Sequence, residues 1–249
     1  MKIVFYFTTL LLFYIGISST SAQALIVLES GVVFTGYNNV SIPGDKGTLF
    51  SFKDDLIPRT EPFYRIRLNY TLKSRHLFSL LYAPLETKSE GSVANDIFFQ
   101  GKIFPANSPI LGTYKFNSYR FTYRYDIVKK EKIEFGLGFT AKIRDASIAL
   151  SSGQLEATKT NVGFVPIINF RLKWNVNDRF GLLLDGDALA APQGRAEDVL
   201  IAATYKLSEN IDIRAGYRIL EGGADNNQVY NFTLFHYATL GFSYTFLNQ

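Results

Sequence analysis

Only two histidines, His76 and His236, occur in the 249-residue chain, and it contains no cysteine. A His-assisted serine or aspartate nucleophile has few places to form, no serine stands in a Gly-x-Ser-x-Gly elbow, and no histidine pair has zinc-ligand spacing. No resident metal or cofactor is expected from these motifs. The carboxylates offer more chemistry. Asp185 and Asp187 share one face of an alternating segment, Glu197 and Asp198 follow Pro192-Gln193-Gly194-Arg195, and Glu221 and Asp225 flank Gly222-Gly223. They belong to neighbouring hairpin tips, so the expectation is an acidic cluster along one rim. Such a cluster could hold a divalent cation through hard oxygen ligands, or use Asp185 and Asp187 as general acid and base. The competing expectation is that these acids pair with Arg195, Arg214 and Arg218 and only neutralise a wall.

The elements that must position these groups are strands. Tyr64, Ile66, Leu68, Tyr70 and Leu72 alternate with Arg65, Arg67, Asn69 and Thr71. Tyr119, Phe121, Tyr123, Tyr125 and Ile127 alternate in the same way with Ser118, Arg120, Thr122, Arg124 and Asp126. Period two is the signature of a strand with one apolar and one polar face. Pro166 interrupts one such segment, and a proline belongs at an edge or a bulge. The polar faces carry glycines and both signs of charge, which suits a shared interior where guanidinium and carboxylate groups pair. The expected lining is Arg65, Arg67, Arg120, Arg124, Asp126, Glu134, Arg171, Lys173, Asp185, Asp187, Asp198, Lys206, Asp212, Arg214 and Arg218. The apolar faces place Tyr70, Tyr125, Trp174, Tyr205, Tyr244 and Phe246 near strand ends, where a membrane–water interface would hold them. His236 has the apolar parity, which makes it an outward ring residue rather than a ligand. A soluble antiparallel sandwich also alternates; a membrane barrel accounts for the rings and the charged faces together.

With 47% hydrophobic and 15% aromatic residues the chain is too apolar for disorder, and a net charge of +4 is too weak to argue for nucleic acid. Met1-Lys2, an apolar run over residues 3–17 and a small-residue stretch ending Ala22-Gln23-Ala24 read as a secretory signal peptide. The run is shorter than the roughly 20 residues of a membrane helix. The expected division is therefore a leader over 1–24 and a barrel over 25–249. Short polar connections near 73–75, 128–130, 175–178 and 208–209 alternate with longer ones over 38–61, 86–112, 151–159, 191–195 and 222–228. This gives an all-β, antiparallel, up-and-down transmembrane barrel of ten strands, from a crossing at 26–37 to one at 229–246, with both termini on the side of the short turns. Segment 97–104 is expected as a flap over the loop end. If it crosses together with 148–152, the number becomes twelve.

Thr239-Leu240-Gly241-Phe242-Ser243-Tyr244-Thr245-Phe246 resembles the final strand of bacterial outer-membrane β-barrel proteins, with Gly241, Tyr244 and Phe246 carrying the signal. The resemblance implies export to the outer membrane and recognition by the barrel-assembly machinery. The ten-strand architecture also resembles that of the omptin proteases, by strand count rather than by motif. The expected function is a non-enzymatic outer-membrane barrel with a structural, surface-binding or narrow-channel role. The alternative is an outer-membrane hydrolase acting on envelope lipid or peptide through the rim carboxylates. Expected partners are outer-membrane lipids and, at the rim, a divalent cation bridging lipopolysaccharide phosphates.

Overall fold

The computed structural model describes residues 22–191 and 194–246. The expected leader lies outside the described residues apart from Ala22, Gln23 and Ala24, which open the first strand. Ten strands build the wall: β1 (Ala22–Ser41), β2 (Glu61–Leu72), β3 (His76–Ala83), β4 (Ile110–Lys129), β5 (Ile133–Ser152), β6 (Leu155–Asn175), β7 (Phe180–Ala191), β8 (Gly194–Lys206), β9 (Ile211–Asn226) and β10 (Val229–Phe246). Each runs antiparallel to the next, and β10 returns to β1 with Ala24 opposite Phe246 and Ser41 opposite Tyr230. The sheet is therefore a closed up-and-down barrel, which removes the edges of an open sheet. Residues 148–152 are the loop-end tip of β5 and not a separate crossing.

Alternation decides which face points where. Large apolar side chains stand exposed around the outside, among them Leu68, Phe121, Phe139, Leu172, Ile201 and Leu240. An apolar surface this continuous is the surface of a body dissolved in lipid. Tyr70, Tyr125, Trp174 and Phe246 are exposed close to the short-turn ends, at one level of the girdle. His76 donates to or accepts from the Tyr123 hydroxyl at 2.9 Å, and His236 stacks between Phe34 and Tyr217 on the outer surface.

At the loop end the chain folds over the barrel. Phe50–Ser51 pairs with β1, Ile57–Pro58 pairs with Glu86–Gly91, and Glu86–Gly91 continues the line of β3 along β4 after a break at Pro84. Ile97–Phe99 and Lys102–Phe104 form a small hairpin whose turn uses positive φ at Gln100 and Gly101. Segment 97–104 is thus a flap and not a crossing, but one tucked inward. Phe99 and Phe104 are fully buried, and with Phe50, Phe52, Tyr114 and Phe235 they form an aromatic cluster inside the barrel mouth. Gly112 is required there, since a Cβ on it would lie 2.4 Å from the Phe52 ring.

One seam is incomplete. β6 pairs with β7 only from Ile168 opposite Ala188 down to Asn175 opposite Gly181, whereas its pairing with β5 runs its whole length. Among the described residues, 155–167 have no ladder partner on the β7 side. Pro166, which cannot donate a ladder hydrogen bond, stands where the two strands part.

Candidate functional site

The barrel interior is filled at mid-height by an ionic network that every wall strand except β3 and β10 supplies. On β8, Asp198 accepts from Arg65 at 2.9 Å, from Arg120 at 2.5 Å and from Arg218. Glu29 on β1 accepts from Arg218 at 2.8 Å and from Arg214 at 2.6 Å. Asp187 on β7 accepts from Arg120 at 2.7 Å, from Thr140 at 2.6 Å and from Asn169 at 3.0 Å. Below them Asp185 lies 3.8 Å from both Arg67 and Arg124, and Arg124 donates to Asp126 at 3.1 Å. Glu29, Arg65, Arg120, Asp187, Asp198 and Arg218 are all buried. A buried carboxylate is tolerable only when its oxygens are occupied by such donors, so the members hold one another in place. The strand pattern follows from this crowding. Gly241 sits between Glu29 and Arg214 in the ladder, and a Cβ there would meet Arg214 Nε at 2.5 Å.

The predicted lining residues all stand on the interior parity, and the structure divides them. Arg65, Arg67, Arg120, Arg124, Asp126, Asp185, Asp187, Asp198, Arg214 and Arg218 belong to the network. Arg171 and Glu134 approach at 4.0 Å nearer the short turns, where Lys173 lies opposite Glu134 and Lys206 opposite Asp212. Sequence reasoning missed Glu29, Thr140 and Asn169. Glu29 carried a signal, an acid placed directly after the apolar run Leu25-Ile26-Val27-Leu28 of β1.

The acidic rim does not assemble. Asp185, Asp187 and Asp198 face inward at mid-height and are bonded to arginines, whereas Glu197 and Glu221 oppose each other on the outward parity. Asp225 is exposed at the tip of β9. The register separates them by face as well as by height, because a one-residue step reverses the side of the wall. Glu221 is engaged with Arg195 at 2.7 Å and with the Tyr37 hydroxyl. Among the described residues no group of three or more His, Asp or Glu side chains is placed to hold a metal ion. As candidate acid and base the two are occupied differently: the oxygens of Asp187 are committed to guanidinium, hydroxyl and amide donors, and the buried Asp185 is flanked by Arg67 and Arg124 at 3.8 Å.

Above the network lies a cavity of about 560 Å³. It extends from the inner faces of β4 and β5, at Phe116, Lys142 and Ile148, to the parted strands at Val165, Pro166, Leu189 and Ala191. Lys142 lies opposite Arg120 in the ladder, so the cavity begins where the ionic network ends.

No protein-family model matches this sequence and no curated protein does. Solved structures match its shape. The outer membrane protease OmpT from Escherichia coli aligns over 93% of this chain and 99% of its own, with 12% identity and a TM-score of 0.54. Ail, the attachment invasion locus protein of Yersinia pestis, seen in complex with the heparin analogue sucrose octasulfate, aligns over 91% and 99% with 12% identity and a TM-score of 0.42. At such identities the likeness is one of fold, and the fold is that of a bacterial outer-membrane β-barrel.

Proposed function

We propose that this protein is a non-enzymatic, surface-binding barrel of the outer membrane, closed to bulk solutes, with its short turns in the periplasm and its long loops outside. In this reading residues 1–24 are an export leader cut after Ala24, and the β10 residues Gly241, Tyr244 and Phe246 serve recognition by the assembly machinery. The apolar girdle supports the lipid environment. The ionic network carries the closure. Its cross-strand bonds fill the lumen with paired side chains, and a ten-strand wall is only slightly wider than the eight-strand size that side chains fill completely. Ions would have to break buried, mutually bonded pairs to pass. The aromatic cluster under the folded loops adds a second stopper, so a narrow channel is the less favoured role. Two features also turn the reading away from hydrolysis and from a rim cation bridging lipopolysaccharide. Asp185 and Asp187 are sequestered, and Glu197, Glu221 and Asp225 do not converge. What remains open to the outside is the cavity above the network, a binding site by its size.

Purified protein reconstituted in planar bilayers tests the closure. It should show no steady conductance above that of the bare membrane. Reproducible unitary steps would overturn the reading.

A further inference from the structure

The cavity is cationic within and open sideways. Lys142 lines it while only 2% exposed, and among the described residues its ammonium makes no hydrogen bond or salt bridge. Its one close partner is the Phe116 ring, 4.6 Å from Nζ. Arg144, one inward position higher on β5, also lines the cavity and keeps a buried Nε without a partner. The one acid bordering the cavity, Glu221, stands on the outward parity and is already held by Arg195 and the Tyr37 hydroxyl. Asp198 and Asp187 act on this ammonium only from a distance; a buried charge with no anion in contact is costly, in contrast to the directly bonded pairs beneath it. Phe116, Ile148, Val165 and Leu189 give the wall an apolar side that runs to the parted strands, while Asn161, Asn231 and Thr233 line it elsewhere.

The side opening lies where β6 leaves β7. On the outer surface beside it Phe164 and Ile168 are 66% and 50% exposed, which sets the opening at the height of the lipid-facing girdle. Unpaired strand backbone at that depth is tolerated only where it lines a cavity that supplies partners. Resting on the closed-barrel reading, which leaves no route through the lumen, we propose that this cavity binds a single-chain amphiphile with an anionic head group. The head lies against Lys142 and Arg144, and the chain leaves through the β6–β7 opening into the surrounding lipid. The volume of about 560 Å³ falls within the roughly 300–1,000 Å³ of small-molecule sites. Charge and apolar wall together select a fatty acid over a neutral lipid or a small free anion.

The test is equilibrium binding of radiolabelled palmitate to the protein in phosphatidylcholine nanodiscs, with empty nanodiscs as the blank. Saturable binding is expected at one site per barrel, with palmitate methyl ester competing at least about tenfold more weakly, the scale of one lost charge-assisted hydrogen bond, and acetate not competing. Lys142→Met should weaken binding by a similar factor, and Val165→Trp, which fills the opening, should abolish it. Lys115→Ala, which removes a cation from the outer surface, should leave binding unchanged. Heat-modifiable electrophoretic mobility identifies the variants that fold. Absence of saturable binding, equal competition by the ester, or wild-type binding by folded Lys142→Met and Val165→Trp would overturn the proposal. Conductance of the same purified protein in planar bilayers separates the two readings. Current would overturn the closed barrel, whereas a silent barrel that does not bind palmitate would overturn only the amphiphile site.

Discussion

The two halves of β4 contrast sharply. From its short-turn end the inward positions are Asp126, Arg124, Thr122, Arg120 and Ser118, with Tyr125, Tyr123, Phe121 and Tyr119 outside. Beyond Ser118 the parity holds and the chemistry inverts. Phe116, Tyr114, Gly112 and Ile110 point in, while Asn117, Lys115 and Thr113 point out. β5 does the same, with Thr140, Lys142 and Arg144 giving way inside to Ile148 and Leu150, and Ile143 giving way outside to Asp145 and Ser147. The same wall thus crosses two solvents. Within lipid, the outside is apolar and the interior, Lys142 at its upper limit apart, satisfies its charges by pairing. Above lipid, the outside meets water and the interior becomes an ordinary hydrophobic core built from the loops.

The lower region should be the more fragile to single substitutions. Asp198→Ala takes a carboxylate partner from three buried guanidinium groups at once, and unfolding in denaturant should show a loss of about 3–5 kcal/mol. A loss below about 1 kcal/mol would mean that water fills the network and that the contrast with the upper region is false. Phe99→Ala removes a fully buried ring from the upper core and should cost about 3 kcal/mol, while leaving the bilayer conductance at zero because the network below is intact. Current from that variant would assign closure to the loops instead. Gly112→Ala drives a methyl into the Phe52 ring and should cost about 1–3 kcal/mol. The smallest effect belongs to the outer surface above the girdle, where Lys115 and Asp145 pair at 2.8 Å. The hydrogen bond from Lys115 holds the Asp145 carboxyl below its ordinary value. A depressed carboxyl contributes fully above that ordinary value, near about 4, and loses its contribution only as the pH falls through the depressed one. Lys115→Ala should therefore lower the unfolding midpoint only slightly, and by the same small amount at about pH 7 and about pH 5, because an exposed pair contributes little; a large displacement would make this pair part of the core.

The wall was legible because alternation is local. Strand number, the inward set from Arg65 to Arg218 and the flap at 97–104 all follow from periods of two and the lengths of the connections. The rim failed for a reason that sequence spacing does not carry. Asp198 and Glu197 are neighbours in the chain but stand on opposite faces, and Asp187 meets Asp198 across a ladder whose stagger sets both at mid-height. The upper core was legible in part. The polarity inversion at Ser118 is written in the sequence, but which phenylalanines fill the mouth depends on long loops whose path is tertiary. Pro166 marked a break in a strand without revealing that the wall opens beside it.

The chain lacks cysteine, so single reporters can be placed on either side of the ionic network. Ala146→Cys lies in the cavity above it and Thr204→Cys on an inward position below it. In oriented proteoliposomes, a membrane-impermeant thiol reagent added from the loop side should label Ala146→Cys and spare Thr204→Cys, and the same reagent from the turn side should do the reverse. Labelling of both positions at similar rates from one side would contradict a lumen sealed by its own paired charges.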